Sequence, residues 1–334
     1  MTLPLGIRVL LWPLSVVYGV IVRFRAWLYA RGWLKQKRLN AVVISVGNLT
    51  VGGTGKTPMV IWLAEKFLAE GKRVAILSRG YRGSRGTSDE IELMKHRLQG
   101  RVLFGVGADR YAQGRALELA GVDLFLLDDG FQHLRLARDM DIVMIDVTGP
   151  LREQALLPAG RLREPVSAVN RADLVLFTRT DHSSGAVWAM RQLPQFPVFR
   201  TVVRLIGFQR IDGSESECLR LDQMSGPFYA FCGIGNPEAF FRDLEKWKVP
   251  VVGRQTFRDH HLYSIADVAR LKKLAAHLGA RAFVTTEKDA ENLTKAKFDE
   301  MPVYVARIAL EIPDEEEVLN LIRSKVQAQH GAAA

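Results

Sequence analysis

A glycine-rich loop stands between an apolar strand and an amphipathic helix, and this arrangement leaves few folds open to the chain. Residues 47–57 read Gly-Asn-Leu-Thr-Val-Gly-Gly-Thr-Gly-Lys-Thr. The preceding run, Ala41–Val46, is β-branched and apolar, which predicts a strand buried on both faces. From Lys56 onward apolar residues recur at helical spacing, and Gly71 is placed to end the helix. The order strand, glycine loop, helix predicts a phosphate-binding loop, in which backbone N–H groups and the helix N-terminus face the anion.

The loop also carries the side chains that such a site needs. The predicted nucleotide-binding residues are Thr50, Val51, Gly52, Gly53, Thr54, Gly55, Lys56 and Thr57. Lys56 is expected to reach the β- and γ-phosphates, and the hydroxyl of Thr57 is expected to bind Mg²⁺. The spacing departs from the usual Gly-x-x-x-x-Gly-Lys-[Ser/Thr], because Thr50 stands where the first glycine belongs. Gly52 and Gly53 are therefore expected to supply the flexibility of the loop.

A P-loop kinase further requires an acidic residue after a buried strand to organise the metal. Two such places occur: Asp128 and Asp129 follow the apolar run 124–127, and Asp146 follows the apolar run 142–145. We favour Asp128 and Asp129 as the metal ligands, with either of the two holding Mg²⁺. Asp146 is interpreted as an ordinary turn or cap residue.

Alternation of apolar runs with helical or loop stretches predicts the fold class. We expect a P-loop-kinase-like α/β fold, in which a mostly parallel sheet is flanked by helices. A second series of strands and helices from residue 206 predicts a smaller C-terminal α/β lobe. The expected divisions are an N-terminal membrane-associated helix with its basic and aromatic flank (1–38), a nucleotide-binding core (39–205), the lobe (206–328) and a tail (329–334).

The net charge of +10 is concentrated at the N-terminus. Residues 1–40 hold seven basic side chains and no acidic one, which leaves 39 basic and 36 acidic residues, a net of +3, in the rest of the chain. A nucleic-acid-binding protein would spread its charge over a docking face, so no nucleic-acid partner is expected. The two cysteines, Cys218 and Cys232, have no ligand-like spacing, which argues against a disulfide framework or a zinc site and favours a reducing compartment.

The N-terminal segment has the composition of a membrane-associated helix. Residues 3–22 form an apolar run interrupted by Arg8 and two prolines, and cations alternate with aromatic rings over residues 23–33. Such a flank suits the headgroup zone of a membrane, with an anionic phospholipid surface as partner. Whether the helix crosses the bilayer or lies on it stays open, and a buried core helix is the remaining alternative. A cleaved signal peptide is disfavoured because a basic start and a small-residue cleavage site are missing.

Six motifs together resemble one known family. They are Gly47–Pro58, Leu77-Ser-Arg-Gly-Tyr81, Asp109-Arg-Tyr111, Leu127-Asp-Asp-Gly-Phe-Gln-His133, Leu157-Pro-Ala-Gly-Arg-Leu-Arg-Glu-Pro165 and Thr285-Thr-Glu-Lys-Asp289. In this order, over roughly residues 10–320, the chain resembles the tetraacyldisaccharide 4'-kinases of lipid A synthesis. The Asp-Asp-Gly-Phe-Gln-His and Leu-Pro-Ala-Gly blocks are the most specific of the six.

The resemblance implies an enzyme that uses ATP and Mg²⁺ to phosphorylate the 4'-hydroxyl of an acylated glucosamine disaccharide 1-phosphate, a lipid A precursor. It also implies a monomer at the cytoplasmic face of a Gram-negative inner membrane, either peripheral or held by one N-terminal span. The family's catalytic carboxylate and histidine would fall on Asp109 and His260, which act with Lys56, although the adjacent His261 leaves the choice of histidine open. The other motif residues are Arg79, Gln132, His133 and Glu164.

One region departs from the family. Ser88-Asp89-Glu90 stands where the family usually has a longer insertion that ends in Gly-Asp-Glu-Pro. Two alternatives to a kinase remain open on the sequence. A partition-type or metal-insertion P-loop NTPase has a similar loop but transfers no group, so its ATP turnover would not depend on an acylated sugar. A membrane adaptor that binds ATP only structurally would have little use for Asp128 and Asp129.

Overall fold

The computed structural model describes residues 4–80, 88–148, 155–180, 193, 196–197, 199–211, 218–293, 298 and 301–331. Its helices are α1 (Leu5–Ala30), α2 (Lys56–Ala69), α3 (Asp89–Leu98), α4 (Arg110–Glu118), α5 (Pro237–Lys246), α6 (Ile265–His277), the short α7 (Glu287–Ala290) and α8 (Glu315–Gly331). Its strands are β1 (Val42–Asn48), β2 (Val74–Ser78), β3 (Leu103–Val106), β4 (Leu124–Asp128), β5 (Met140–Asp146), β6 (Leu174–Thr178), β7 (Phe199–Arg210), β8 (Phe228–Cys232), β9 (Val251–Thr256), β10 (Ala282–Thr286) and β11 (Val303–Glu311).

The chain divides into two compact units. The first comprises Met1–Tyr81, Arg97–Val202 and Leu310–Ala334. Its strands are ordered β3-β2-β4-β1-β5-β6, with the start of β7 beside β6, and every pair is parallel. The strand before the glycine loop, β1, therefore lies between β4 and β5, and the carboxyl ends of all three strands lie at the same edge of the sheet.

The second unit comprises Arg82–His96 and Val203–Ala309. Its strands β11, β10, β8 and β9 pair in parallel in that order. One face of this sheet packs on α5 through Phe240, Phe241 and Leu244. The other face packs on α6 through Val268 and Leu271. Both units thus have the parallel α/β architecture that the sequence predicts.

The units differ from the predicted divisions in three segments. Residues 82–96 belong to the second unit, although the sequence placed them in the nucleotide-binding core. Residues 310–334 belong to the first unit and not to the C-terminal lobe, because α8 carries Lys325, whose ammonium lies 2.8 Å from a carboxylate oxygen of Asp173. Residues 329–331, which we assigned to a tail, continue α8, since the first glycine of this segment, Gly331, comes only at the last residue of the helix. Residues 332–334 lie outside the described residues.

Candidate functional site

The glycine loop connects β1 to α2 as the sequence predicts. A Cβ atom at Gly47 would lie 2.5 Å from the Cβ of Phe131, so only glycine allows the strand end to approach the Asp-Asp-Gly-Phe segment this closely. Gly55 has a φ of +87° immediately before the first helical residue, Lys56. A left-handed residue at this position turns the chain so that the N-terminus of α2 opens onto the loop.

Side chains from two other segments fix the shape of this loop. The buried amide of Asn48 donates to the hydroxyl of Thr54 across the loop (2.9 Å), and Gln132 donates from its amide to the carbonyl of Asn48 (2.8 Å). The guanidinium of Arg161 donates to the carbonyl of Val51 (2.7 Å). A loop held at three points is preorganised for phosphate, because its backbone loses little further freedom on binding.

The two adjacent carboxylates lie at the carboxyl end of β4, beside the loop. Asp128 is buried and accepts a hydrogen bond from the hydroxyl of Ser78 (3.2 Å). Asp129 accepts from Arg163 at 2.6 Å through Oδ2, and its Oδ1 lies 3.6 Å from the ammonium of Lys56. The catalytic lysine predicted from the sequence is therefore held by a carboxylate predicted from the sequence.

The carboxylate of Asp129 has features of a ligand-binding group. Its φ is +53°, an unfavourable value for a residue with a side chain, and such strain concentrates at functional sites. Burial opposes its ionisation, but Lys56 and Arg163 outweigh burial and lower its pKa. Its Oδ1 is buried and accepts no hydrogen bond from the residues that the structure describes, with the ammonium of Lys56 at 3.6 Å. Together with Asp128 and the hydroxyl of Thr57, this ionised oxygen fits a hard divalent cation such as Mg²⁺.

The remaining motif residues surround the same strand ends. Glu164 is almost fully buried and pairs with Arg171 at 2.6 Å. Arg79 follows β2 and is exposed. Burial and the charge of Arg110 lower the pKa of His133 to about 4, so this imidazole is neutral at pH 7. Thr50 forms a single antiparallel bridge to the segment that contains Glu164.

Asp109 has a structural task in the described unit. It is the N-cap of α4, where its side chain accepts from the backbone N–H of Ala112 (3.2 Å), and it lies 3.4 Å from Arg135. These contacts lower the pKa of Asp109. The expected pairing of Asp109 with His260 would join residues of the two units, and it stays a prediction.

His260 pairs with Asp89 of its own unit, at the start of α3. Its Nδ1 lies 2.9 Å from both carboxylate oxygens of Asp89. The side chain of Asp89 is 5% exposed and that of His260 is 31% exposed, so the histidine is the accessible member of the pair. His260 has a φ of +59°, a second strained position at a candidate site.

The contact between Asp89 and His260 shifts the pKa values of the two side chains in opposite directions. Burial opposes ionisation of Asp89, but the hydrogen bond with His260 and the charge of Lys288 lower its pKa. The hydrogen bond to Asp89 raises the pKa of His260, against the effects of burial and of Lys288. A buried carboxylate that orients an accessible imidazole is an arrangement able to accept a proton from a hydroxyl group.

His261 is distinguished from its neighbour by its contacts. Its Nε2 lies 3.1 Å from Asp267, and its ring stacks on Phe257. Asp267 in turn forms the capping box of α6 with Ser264. His261 therefore stabilises the start of a helix, and His260 is the histidine with a partner suited to chemistry.

Sequence reasoning missed two members of these sites. Asp89 was noted only as part of a segment that departs from the family pattern, and its partner lies 171 positions away. Arg163 lies within the Leu157–Pro165 motif, but no pattern in the sequence singles it out as the partner of Asp129. Asp146, by contrast, is bound by the backbone and hydroxyl of Thr148 and lies 3.3 Å from Arg179, which agrees with its interpretation as a turn residue.

The N-terminal helix is apolar and largely uncovered in its unit. Among the described residues, α1 is the one helix long and apolar enough to cross a membrane. Its exposed large apolar residues are Leu5, Ile7, Val9, Leu10, Trp12, Leu14, Val16, Val17, Val20, Ile21, Phe24 and Trp27. Ser15 is buried, where it donates to the carbonyl of Leu156 (3.0 Å) and accepts from Ala159 (2.9 Å). The hydroxyl of Tyr18 donates to the carbonyl of Arg163 (2.8 Å).

A strand, a glycine loop with Lys56 and Thr57, and two carboxylates on the adjacent parallel strand define a P-loop phosphate-binding protein of the α/β class. The family model of tetraacyldisaccharide-1-P 4'-kinase, LpxK, matches residues 7–327. The chain belongs to this family, which confirms the resemblance found in the sequence.

Individual relatives agree. The chain is 41% identical to the tetraacyldisaccharide 4'-kinase of Geobacter sulfurreducens over 310 residues, 87% of this chain and 85% of that one. It is 40% identical to the protein of the same name from Geobacter metallireducens, over 91% of this chain and 94% of that one. The crystal structure of "apo" form LpxK from Aquifex aeolicus in complex with ATP is similar, with a TM-score of 0.73 and 30% identity over 96% of this chain and 99% of that one. The predicted fold class is confirmed.

Proposed function

We propose that this chain is an ATP-dependent kinase that transfers the γ-phosphate of ATP to the 4'-hydroxyl of a tetraacyldisaccharide 1-phosphate, which gives the 1,4'-bisphosphate. The observation that carries the proposal is membership of the tetraacyldisaccharide-1-P 4'-kinase family over residues 7–327. The geometry of each unit is consistent with it, since one unit holds a phosphate loop and the other holds a carboxylate–imidazole pair.

The nucleotide part of the reaction falls to residues 50–57 and their neighbours. The backbone N–H groups of the loop and the N-terminus of α2 would bind the phosphates, and Lys56 would neutralise charge that develops on the transferred group. Thr57, Asp128 and Asp129 would hold Mg²⁺, which would offset the negative charge of the phosphates. Arg163 would keep Asp129 ionised and oriented, since their contact is a charge-assisted hydrogen bond of 2.6 Å.

The acceptor part of the reaction falls to Asp89 and His260. We propose that this pair accepts the proton of the acceptor hydroxyl, in place of the Asp109–His260 pair expected from the sequence. Two observations support the assignment: the 2.9 Å contacts between the two side chains, and the N-cap hydrogen bond that occupies Asp109. Proton acceptance by the pair makes the sugar oxygen a better nucleophile toward the γ-phosphate.

We further propose that α1 attaches the protein to the cytoplasmic face of the inner membrane. A tetraacylated acceptor resides in a membrane, and ATP is available on the cytoplasmic side. The exposed apolar side chains of α1 and the cations of residues 23–38 suit an anionic lipid surface. An attached enzyme meets its acceptor at a higher effective concentration than a free one.

The direct test is to follow γ-labelled ATP with purified full-length protein in detergent. We expect label in the extracted lipid when the acceptor has a free 4'-hydroxyl, and none when that position already carries phosphate. ATP consumption should match labelled lipid mole for mole. ATP turnover at the same rate without acceptor, with no label in lipid, would overturn the proposal in favour of an NTPase that transfers no group.

A further inference from the structure

The segment Thr286–Asp289 belongs to a motif that the proposed reaction leaves without a role. Thr286 ends β10 and caps the short helix α7, because its hydroxyl accepts from the backbone N–H of Asp289 (3.1 Å) and donates to Oδ2 of that residue (2.6 Å). This double contact fixes the two residues between them, Glu287 and Lys288, on a rigid turn. The segment belongs to the same unit as Asp89 and His260.

Lys288 forms ion pairs with carboxylates from two other segments of that unit. Its ammonium lies 3.3 Å from Glu90 and 3.9 Å from Asp89 of α3. It also lies 3.4 Å from Asp259, which precedes His260 in the chain. The side chain of Lys288 is 19% exposed. This largely buried cation contacts three carboxylates. It therefore fixes the position of α3 relative to the segment that carries His260.

The same ammonium faces the free edge of the imidazole. The Nε2 atom of His260 lies 3.4 Å from Nζ of Lys288, while Nδ1 faces Asp89. With one ring proton, Nδ1 donates to the carboxylate and the lone pair of Nε2 faces a cation. A second ring proton would place a positive N–H group against that cation. Among the described residues, the charged groups that face the ring are thus Asp89, Asp259 and Lys288, and of these three Lys288 is the one that disfavours the second proton.

Asp289 fixes the backbone of the histidine from the other side of the turn. Its fully buried carboxylate accepts from the backbone N–H of Gly233 (2.7 Å) and from the hydroxyl of Tyr263 (2.7 Å). The carbonyl of Gly233 in turn accepts from the backbone N–H of His260 (3.1 Å). The positive φ of His260 is therefore supported by a chain of hydrogen bonds that starts on α7.

We propose that Lys288 is a positioning residue for the Asp89–His260 pair: it holds the carboxylate against the imidazole and keeps that imidazole in its singly protonated form. This inference rests on the proposed function for its kinetic consequences, but its structural part stands on the contacts alone. Burial lowers the pKa of Lys288, yet Glu90, Asp89 and Asp259 outweigh burial and raise it, so the residue stays a cation across the working range.

The sign of the expected effect follows from these contacts. Lys288 lowers the pKa of both His260 and Asp89, as a nearby positive charge must. Removal of the charge therefore raises both pKa values. A pair that must be free to accept a proton then becomes inactive at a higher pH, and the acid limb of the pH–kcat profile moves upward.

The test compares Lys288→Met and Lys288→Arg with Arg307→Met in the full-length protein. Arg307 is a matched control, because it belongs to the same unit and contacts Glu287, the neighbour of Lys288 in the motif. The first readout is the imidazole titration of His260, followed by NMR of histidine-labelled protein and assigned with His260→Gln. The midpoint should move to higher pH in Lys288→Met and stay near that of the parent in the arginine variant and in the control.

The second readout is kinetic. In Lys288→Met, kcat at pH 7 should fall by about ten- to a hundredfold, as expected when a reacting group is misplaced, while the KM for ATP stays unchanged. If the methionine variant does not fold, Lys288→Gln removes the same charge and keeps hydrogen-bonding capacity. A parental His260 midpoint in a folded, uncharged variant would overturn the inference and leave Lys288 a structural residue. Full activity of His260→Gln would overturn the proposed role of the pair, whatever the titration shows.

Discussion

Asp129 is expected to contribute both to the stability of the nucleotide site and to its catalytic activity. The variant Asp129→Asn allows the two contributions to be measured one after the other. Asparagine keeps the size of the side chain and tolerates the left-handed backbone that this position requires (φ +53°), so the fold should be kept. What is lost is the charge between Arg163 at 2.6 Å and Lys56 at 3.6 Å. Hydrogen bonds to charged groups contribute about 1.5–3 kcal/mol. The side chain is 34% exposed, so solvent screening reduces the expected loss to about 1–2 kcal/mol.

This loss should depend on pH in a defined direction. Lys56 and Arg163 lower the pKa of Asp129 despite its burial, so its stabilising effect is present above the ordinary carboxyl pKa and disappears as the pH falls through the lowered value. The difference in free energy of unfolding between parent and Asp129→Asn should therefore be largest near neutrality and shrink in acid. Urea denaturation at several pH values, followed by circular dichroism in detergent, measures it.

The same variant should lose activity far out of proportion to stability. We expect kcat for labelled phosphate transfer to fall by about a hundred- to a thousandfold, since the site loses a charge that acts on the metal and on Lys56. Asp146→Asn is the matched control at the end of the neighbouring strand β5, where Asp146 lies 3.3 Å from Arg179. It should lose stability but keep its kcat. A parental kcat in Asp129→Asn, or a larger loss in Asp146→Asn, would refute the assignment of the metal carboxylates.

Three further predictions concern other parts of the same unit. Lys56→Ala should fold normally and lose about a thousandfold in labelled transfer, because the γ-phosphate then lacks its cation; a folded variant that keeps most of its kcat contradicts the role of the loop. In the folded protein His133 has a pKa of about 4 and stays neutral, whereas in the unfolded chain the same imidazole takes up a proton as the pH falls below 6.5. The free energy of unfolding of the parent should therefore fall by about 1–2 kcal/mol relative to His133→Gln between pH 6.5 and pH 4, which urea denaturation measures. Removal of residues 1–38 should release the protein from anionic vesicles in a flotation assay and also lower kcat, since Tyr18 of α1 holds the carbonyl of Arg163; flotation of the truncated protein at high salt would refute the anchor.

Local patterns were sufficient to predict the fold class and the phosphate loop. Fully buried parallel strands read as continuous apolar runs, as residues 124–127 and 142–145 do in β4 and β5. Not every strand of the structure carries such a run. In β9, Val251–Thr256, half-buried and exposed residues alternate along an edge strand, so no apolar run marks it. The sequence likewise gave no sign that residues 82–96 join the second unit.

The catalytic pair shows where local reasoning stops. Asp109 directly precedes α4 and Asp89 begins α3, so the two look alike in the sequence as carboxylates at a helix start. What distinguishes them is the partner: Ala112 and Arg135 for Asp109, and His260 for Asp89. A contact between residues 171 positions apart is set by the packing of the unit and leaves no periodicity in the sequence. The segment Ser88-Asp89-Glu90 was visible only as a departure from a family pattern.

The most direct test of the account is a double-mutant cycle on this pair, measured as single-turnover transfer of labelled phosphate to the lipid acceptor. Asp89→Asn and His260→Gln should each lower the rate by about a hundred- to ten-thousandfold, and the double variant should be little slower than the slower single one, because either change disables the pair. Asp109→Asn should keep a rate near that of the parent, and ATP binding should be unchanged in all four proteins. Full additivity of the two losses, or a severe loss in Asp109→Asn with a parental rate in Asp89→Asn, would contradict the account.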